Sequence, residues 1–375
     1  MLSILIGGDF VPQNGSPKNM FADPLLNQLK DKDFSIINLE VPLTICNRPI
    51  LKTGNNFKAH TDMVKHIVNG YFDAVALSNN HIRDFGDEGV TDTLNICKES
   101  NIKTVGAGLN LFDAKKPLRV TLKGKNISFL NYSEHEFNIA SKTHAGANPF
   151  NIIEAFNDIN EEKKWNDYVI VIYHGGLEYH HLPSPEIVKL FKFLIESGAD
   201  CVVSHHTHRY SGLIYHHNKP ILFGLGNFLS STKTKNTEGW LTGLVAKIRF
   251  ENNNVIAEMI PTQMEPDFSA VSTMSELKNQ IVLNHVSELS QIISNEKKLQ
   301  EYWEQEYEKF QKQLINILRS DSRFEYRLRK NFPVLFKPGI SRYKLLNVLN
   351  LVRCSSHRGR LINVLEDLYK KIGDQ

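Results

Sequence analysis

A chain of 375 residues with 41% hydrophobic and 23% charged side chains carries enough apolar surface to offset chain entropy, which excludes disorder as the starting expectation. Its length suits one large α/β core with an appendage, and a formal charge of +3 names no partner. The four cysteines, Cys46, Cys97, Cys201 and Cys354, lie far apart with no Cys-x-x-Cys pair, which argues against a zinc ribbon or a disulfide scaffold and for buried free thiols.

The N-terminal run from Met1 to Ile6 is short and apolar with no basic stretch before it, so it reads as a buried strand rather than a signal peptide. No run of about 18 apolar residues follows. The expectation is a cytoplasmic chain without a transmembrane segment or membrane anchor, peripheral to the membrane at most. In chain order, residues 3–9, 34–39, 73–78, 168–173 and 201–204 read as strands, each apolar through its body and polar at its C-terminal end. Between them, residues 24–32, 62–70, 87–101, 152–165 and 186–198 have the apolar spacing of helices packed on a sheet. Such alternation implies an α/β sandwich, and ligands of open α/β sheets gather outside the carboxyl ends of the strands. Residues 221–224, 243–250 and 255–261 return to strands, the last two joined at Glu251-Asn-Asn-Asn254, and close a domain spanning residues 1–265. Residues 275–375 form a helical region, with stretches 276–318 and 343–372 interrupted at Asn331-Phe-Pro333 and Lys337-Pro-Gly339.

The strand ends deliver Gly8-Asp9, Asn38-Leu-Glu40, Ser78-Asn-Asn-His81, Tyr173-His-Gly-Gly176 and Ser204-His-His-Thr-His208. Carboxylates, an amide oxygen and imidazoles are ligands that Zn, Mn or Fe accept. A lone Asp after a strand is usually a cap and a lone His a hydrogen-bonded structural residue. Five such ends in order across one sheet are a different matter.

In that order the motifs resemble the calcineurin-like metallophosphoesterases, and more closely the bacterial capsule-synthesis CapA (poly-γ-glutamate synthesis) group. The features carrying this resemblance are Asn38-Leu-Glu40, Asn79-Asn-His81 with Asp84-Phe-Gly86, His174-Gly-Gly-Leu-Glu-Tyr179, His205-His-Thr-His208 and Gly224-Leu-Gly-Asn-Phe228, within residues 3–230. The resemblance implies the two-layer sandwich of that superfamily and one or two divalent ions. Asp9, Glu40, Asn80, His174, His206 and His208 would be the metal ligands, with Glu40 bridging, Asn80, His174 and His206 on one ion and His208 on the other. His81 would stand beside the metals as the catalytic hydrogen-bond or proton donor. Asn227 would contact substrate or cap a turn, and Tyr179, with Glu178, would line the pocket. Where phosphoesterases have Asp-x-His, this chain has Asp9-Phe-Val11, a loss the CapA-like group shares. His205 either compensates or is structural.

The function implied is metal-dependent hydrolysis, of a phosphoester or an amide bond, in capsule, exopolysaccharide or poly-γ-glutamate biosynthesis. A non-catalytic polymer-binding or assembly subunit of a capsule synthesis complex is the alternative. Partners would be an anionic polymer or its precursor and capsule synthase subunits. Residues 319–360 carry an excess of nine positive charges, interleaved with Phe324, Tyr326, Phe332, Phe336 and Tyr343. That excess suits an anionic polymer or membrane surface, and no nucleic-acid motif accompanies it. Tyr302, Trp303, Tyr307 and Phe310 have the spacing of a helix packed onto the catalytic domain or a partner.

Overall fold

The computed structural model describes residues 1–12, 20–230, 238–251, 254–318 and 342–373. The strands are β1 (Leu2–Val11), β2 (Phe34–Leu39), β3 (Ala74–Ala76), β4 (Lys103–Val105), β5 (Ala107–Gly108), β6 (Leu118–Leu122), β7 (Lys125–Ser133) and β8 (Gly146–Ala147). They continue with β9 (Tyr168–His174), β10 (Cys201–His205), β11 (Leu213–His216), β12 (Lys219–Leu222), β13 (Asn227–Ser230), β14 (Thr242–Glu251), β15 (Asn254–Met264) and β16 (Val271–Thr273). One sheet runs β16-β15-β14-β1-β2-β3-β4 with β13 parallel to β1, and the other runs β11-β12-β10-β9-β7-β6.

The two sheets face each other because β1 is apolar on both sides. Ile4 and Ile6 join Phe129, Ile170 and Val202 of the second sheet in one core. Leu5, between them, points the other way and joins Ile37 and Val75 in a second core, as the two-residue period of a strand requires. Ring pairs cross the gap between sheets, Phe34 with Phe129 at 5.5 Å and Tyr168 with Phe250 at 4.3 Å. Helices α1 (Asp23–Lys30), α2 (Val64–Asn69) and α3 (Gly86–Glu99) cover the outside of the first sheet. After the short α4 (Leu111–Ala114), α5 (Ile152–Lys163) and α6 (Pro185–Glu196) cover the outside of the second. A short α7 (Glu238–Leu241) precedes β14.

The first sheet continues past residue 265, because β16 pairs with β15. Residues 276–318 form two helices rather than one, α8 (Glu276–Ser294) and α9 (Glu296–Leu318). They part at Asn295, whose backbone is extended and whose side-chain oxygen accepts from Lys298 N at 3.1 Å to start the second helix. Val282, Val286, Leu289 and Ile293 of α8 and Trp303 of α9 join the hydrophobic cluster that includes the second sheet, and Trp303 donates its indole N–H to Pro183 O at 2.6 Å. The last stretch also divides, into α10 (Arg342–Arg353) and α11 (Ser355–Gly373), on either side of Cys354. The four cysteines are buried free thiols. The interruptions at 331–333 and 337–339, and the basic residues from Arg319 to Lys337, lie outside the described residues.

Candidate metal centre

Strand register assembles the site. In the first sheet Asp9 stands opposite Asn38 of β2 and Asn227 of β13. In the second, His174 at the end of β9 stands opposite Ser133 of β7 and His205 of β10. Both parallel pairings of β1 shift register around Asp9, the local irregularity that re-aims side chains at active sites. Gly8 makes the close approach possible, since a Cβ there would lie 2.2 Å from Gly226 O. The loop after β10 turns tightly, with His206 and His208 at φ of 91° and 53°, left-handed backbone that non-glycine residues seldom adopt.

Two clusters of candidate ligands result, and they share one residue. Ligand atoms of Glu40, His174 and His206 lie within 4.8 Å of one another, as do those of Asp9, Glu40 and His208. His174 Nε2 is 3.3 Å from Glu40 Oε1 and 3.0 Å from Asn80 Oδ1. His208 Nδ1 is 3.4 Å from Asp9 Oδ2, 3.8 Å from Glu40 Oε2 and 3.0 Å from Asn227 Oδ1. Asn38 donates to Asp9 Oδ1 at 2.8 Å and orients it. All six residues expected as ligands from the sequence converge here, and each is buried.

The electrostatics are those of a site short of positive charge. Burial, then the neighbouring Asp9, pushes the Glu40 carboxyl well above its ordinary range. Burial alone would lower His208, but Glu40 and Asp9 overcome it and raise the imidazole to about 10. Burial lowers His206 to about 4, and burial with four nearby imidazoles lowers His174 as well. Neither oxygen of the fully buried Glu40 has a hydrogen-bond partner among the described residues. A buried carboxylate left this way costs several kcal/mol unless a cation meets it, roughly the desolvation of one ion. The donor set of carboxylates, an amide oxygen and imidazoles fits a borderline divalent metal.

His81 is held beside the clusters. Its Nδ1 lies 2.7 Å from Asp84 Oδ2 and 3.1 Å from Lys52 Nζ, and Lys52 also pairs with Asp84. That leaves Nε2 as the ring nitrogen for the pocket. Tyr179 lines the pocket mouth, half exposed, with its ring 6.1 Å from Trp240. Asn227 is placed differently from a substrate contact. It is fully buried, and its side chain is spent on His208 and on Trp240 O at 3.1 Å. His205 bonds through Nε2 with Gly7 O at 3.0 Å, the structural option. Val11 lines the pocket where phosphoesterases have an imidazole.

The cavity above the clusters has a volume of about 300 Å³, at the small end of ligand sites. Its walls include residues that the sequence did not single out, namely Lys52, Glu136, Trp240, Asn350 and His357. Glu136 follows the end of β7 and stands 4.0 Å from His206 Nε2. Burial first, then Glu178, pushes its carboxyl up to about 7. Asn350 and His357 come from α10 and α11, which are anchored to the neighbouring Glu134. That carboxylate accepts from Tyr173 Oη at 2.8 Å, Cys354 Sγ at 2.7 Å, Ser356 N at 3.3 Å and Ser356 Oγ at 2.6 Å.

The fold is a two-sheet α/β sandwich whose strand ends gather two histidine and carboxylate clusters around one shared glutamate. The chain belongs to the bacterial capsule synthesis protein family PGA_cap, whose profile matches residues 4–232. Its relatives are proteins of capsule and poly-glutamate biosynthesis. A Bacillus anthracis protein named capsule biosynthesis protein CapA is 28% identical over 287 residues, covering 73% of this chain and 66% of its own length. A Bacillus subtilis protein named PGA biosynthesis protein CapA is 30% identical over 177 residues, covering 46% and 47%. The chain thus spans less than two thirds of these relatives. Among solved structures, a hypothetical protein from Thermus thermophilus gives a TM-score of 0.44 at 13% identity, covering 70% of this chain and 99% of that one. A putative 5'-nucleotidase from Staphylococcus aureus gives 0.43 at 13% identity, covering 76% and 58%.

Proposed function

We propose that this chain is a metal-dependent hydrolase-type protein acting on an anionic polymer or its precursor in capsule, exopolysaccharide or poly-γ-glutamate biosynthesis. Glu40 carries this reading: a buried carboxylate with neither oxygen hydrogen-bonded among the described residues, shared by two ligand clusters. Asp9, Glu40 and His208 would hold one ion, and Glu40, Asn80, His174 and His206 the other. Bound there, Mn, Zn or Fe would supply Lewis acidity and charge neutralisation for cleavage of a phosphoester or amide bond. As an imidazolium, His81 offers a proton or hydrogen bond from Nε2 while Asp84 accepts from Nδ1 and fixes the ring. Asn227 orients the His208 ring through the nitrogen that faces Asp9 and Glu40, and Tyr179 meets substrate at the mouth.

Val11 favours a second reading, a polymer-binding or assembly subunit, because an apolar side chain lines the pocket where phosphoesterases have an imidazole. Elemental analysis of purified protein, followed by Mn²⁺-supplemented assays on p-nitrophenyl phosphate, a phosphodiester and γ-glutamyl peptides, separates the two. Metal binding with turnover of one class is the expected result. Bound metal with no turnover of any of them would favour the subunit, and no metal at all would overturn both ion sites.

A further inference from the structure

We propose that α10 and α11 form a movable cover over the metal pocket, held shut by a hydrogen-bonded latch at Glu134. This rests on the metal-centre reading above and adds the way in which a long substrate is admitted. Asn350 and His357 of the two helices line the same cavity as Glu40, His81, His206 and His208, so the helices close part of it. At about 300 Å³ the closed cavity holds a small group. A polymer chain needs this wall to move. The six proposed ligands all lie within the family-matched residues 4–232, and the cover lies outside them.

What holds the cover is polar and local. Glu134 is buried at the position after β7, where its backbone N–H donates to His174 O at 3.0 Å. Its carboxylate accepts from the Cys354 thiol and from both the N–H and the hydroxyl of Ser356, and Glu136 bonds to Asn350. Apolar packing adds little. Among the described side chains of α10, α11 and the residue between them, only Cys354 and Val364 are buried apolar groups. Behind the latch, a cavity of about 140 Å³ lies between Tyr173, Leu182, Ile187 and Phe223 on one side and Ser356 and Gly359 on the other. Close-packed interiors seldom leave such a void, and its walls lack the dispersion contacts of a filled core. Along its other side α11 leans on α9, with Arg360 over the Phe310 ring at 3.8 Å and Asn363 bonded to Tyr307. Trp303 pins α9 to the body through Pro183. The α9 side is therefore the hinge, and the Glu134 side is the one that parts.

Cys354 reports the movement, because its thiol is buried in the latch and is uncovered when the helices lift. Alkylation of the full chain with iodoacetamide, resolved by mass spectrometry, gives its rate beside those of Cys97 and Cys201, which are fully buried. In the wild-type protein Cys354 should react at least about tenfold faster than those two, as a local opening does, yet far slower than a free thiol. Glu134→Ala should speed Cys354 by roughly ten- to a hundredfold, the order expected on losing hydrogen bonds to a charged group, with Cys97, Cys201 and Mn²⁺ affinity unchanged. Glu134→Gln, which keeps one acceptor oxygen, and Ser356→Ala, which leaves the carboxylate in place, should fall between and carry the test where Glu134→Ala unfolds. Reaction of wild-type Cys354 like a free thiol, reaction only in step with Cys97 and Cys201, or no acceleration in the latch variants would overturn the cover and leave the metal centre standing. Loss of Mn²⁺ binding in folded latch variants would make Glu134 a support of the ligand strand and overturn the latch. Failure of the wild-type chain to bind Mn²⁺ would overturn the metal centre, while the thiol rates, which need no metal, would still judge the movement.

Discussion

Removing Glu40 and removing His81 are expected to damage the site in different ways. Glu40→Ala takes a carboxylate from both clusters, so metal content and turnover should fall together. His206→Ala and His208→Ala each take one direct ligand and should lower metal content less completely. His81→Ala should leave the metal in place while turnover falls by roughly 10²–10⁴-fold, the usual share of general acid catalysis. Asn227→Ala acts only through the orientation of His208 and should cost less than Glu40→Ala. Elemental analysis and initial rates on these variants check the ranking, and full metal occupancy in both histidine variants would contradict the ligand assignment. Asp9, Glu40, Asn80, His174, His206 and His208 were legible because a polar residue that ends a buried apolar strand has to be satisfied at the sheet edge. Lys52 was not, since residues 45–58 have no regular structure and no period to read. Asn350 and His357 sit on helices whose sequence reads as solvated basic surface.

At the scale of elements, the largest feature the sequence did not reveal is the hairpin of β6 and β7. Strand β7 lies inside the second sheet, between β9 and β6, yet carries Ser128 and Asn131 in its buried body, which breaks the apolar run that marked the other strands. Both have partners in the fold. Ser128 Oγ donates to Glu162 Oε2 at 2.8 Å, and Asn131 Oδ1 accepts from Ser78 N at 2.8 Å. Had β7 been recognised, Glu134 and Glu136 would have stood out as a further polar strand end. Glu162 of α5 also supports a prediction. Burial opposes its charge, but hydrogen bonds from Arg119 and Ser128 win and hold the carboxyl below its ordinary range. A depressed folded-state pKa contributes stability at neutral pH that is lost as pH falls through the carboxylate range, below about 4. Glu162→Gln should therefore cost about 1–2 kcal/mol at pH 7, with Arg119 partly screened by its exposure. The gap to the wild-type protein should narrow in acid, and denaturant melts at pH 7 and pH 3.5 measure it.

A metal held at the proposed centre should stabilise the whole molecule. An ion that binds only the folded chain, present at about one hundred times its Kd, adds about 2.7 kcal/mol. Thermal melts with and without Mn²⁺ should differ accordingly, a chelator should reverse the gain, and Glu40→Ala should show neither effect. Among the described residues, no helix is long and apolar enough to cross a membrane. The strand order carries a further consequence for how such molecules mature. Strand β1 sits between β2, made soon after it, and β13 and β14, made near the end of the family-matched stretch and beyond it. Asp9 is made before His208 and Asn227 and meets them only after nearly all of the sandwich has been synthesised. Contacts so distant in sequence form late. The pocket is therefore absent from nascent chains and truncated products, and metal-binding capacity in a preparation counts only the molecules that finished folding.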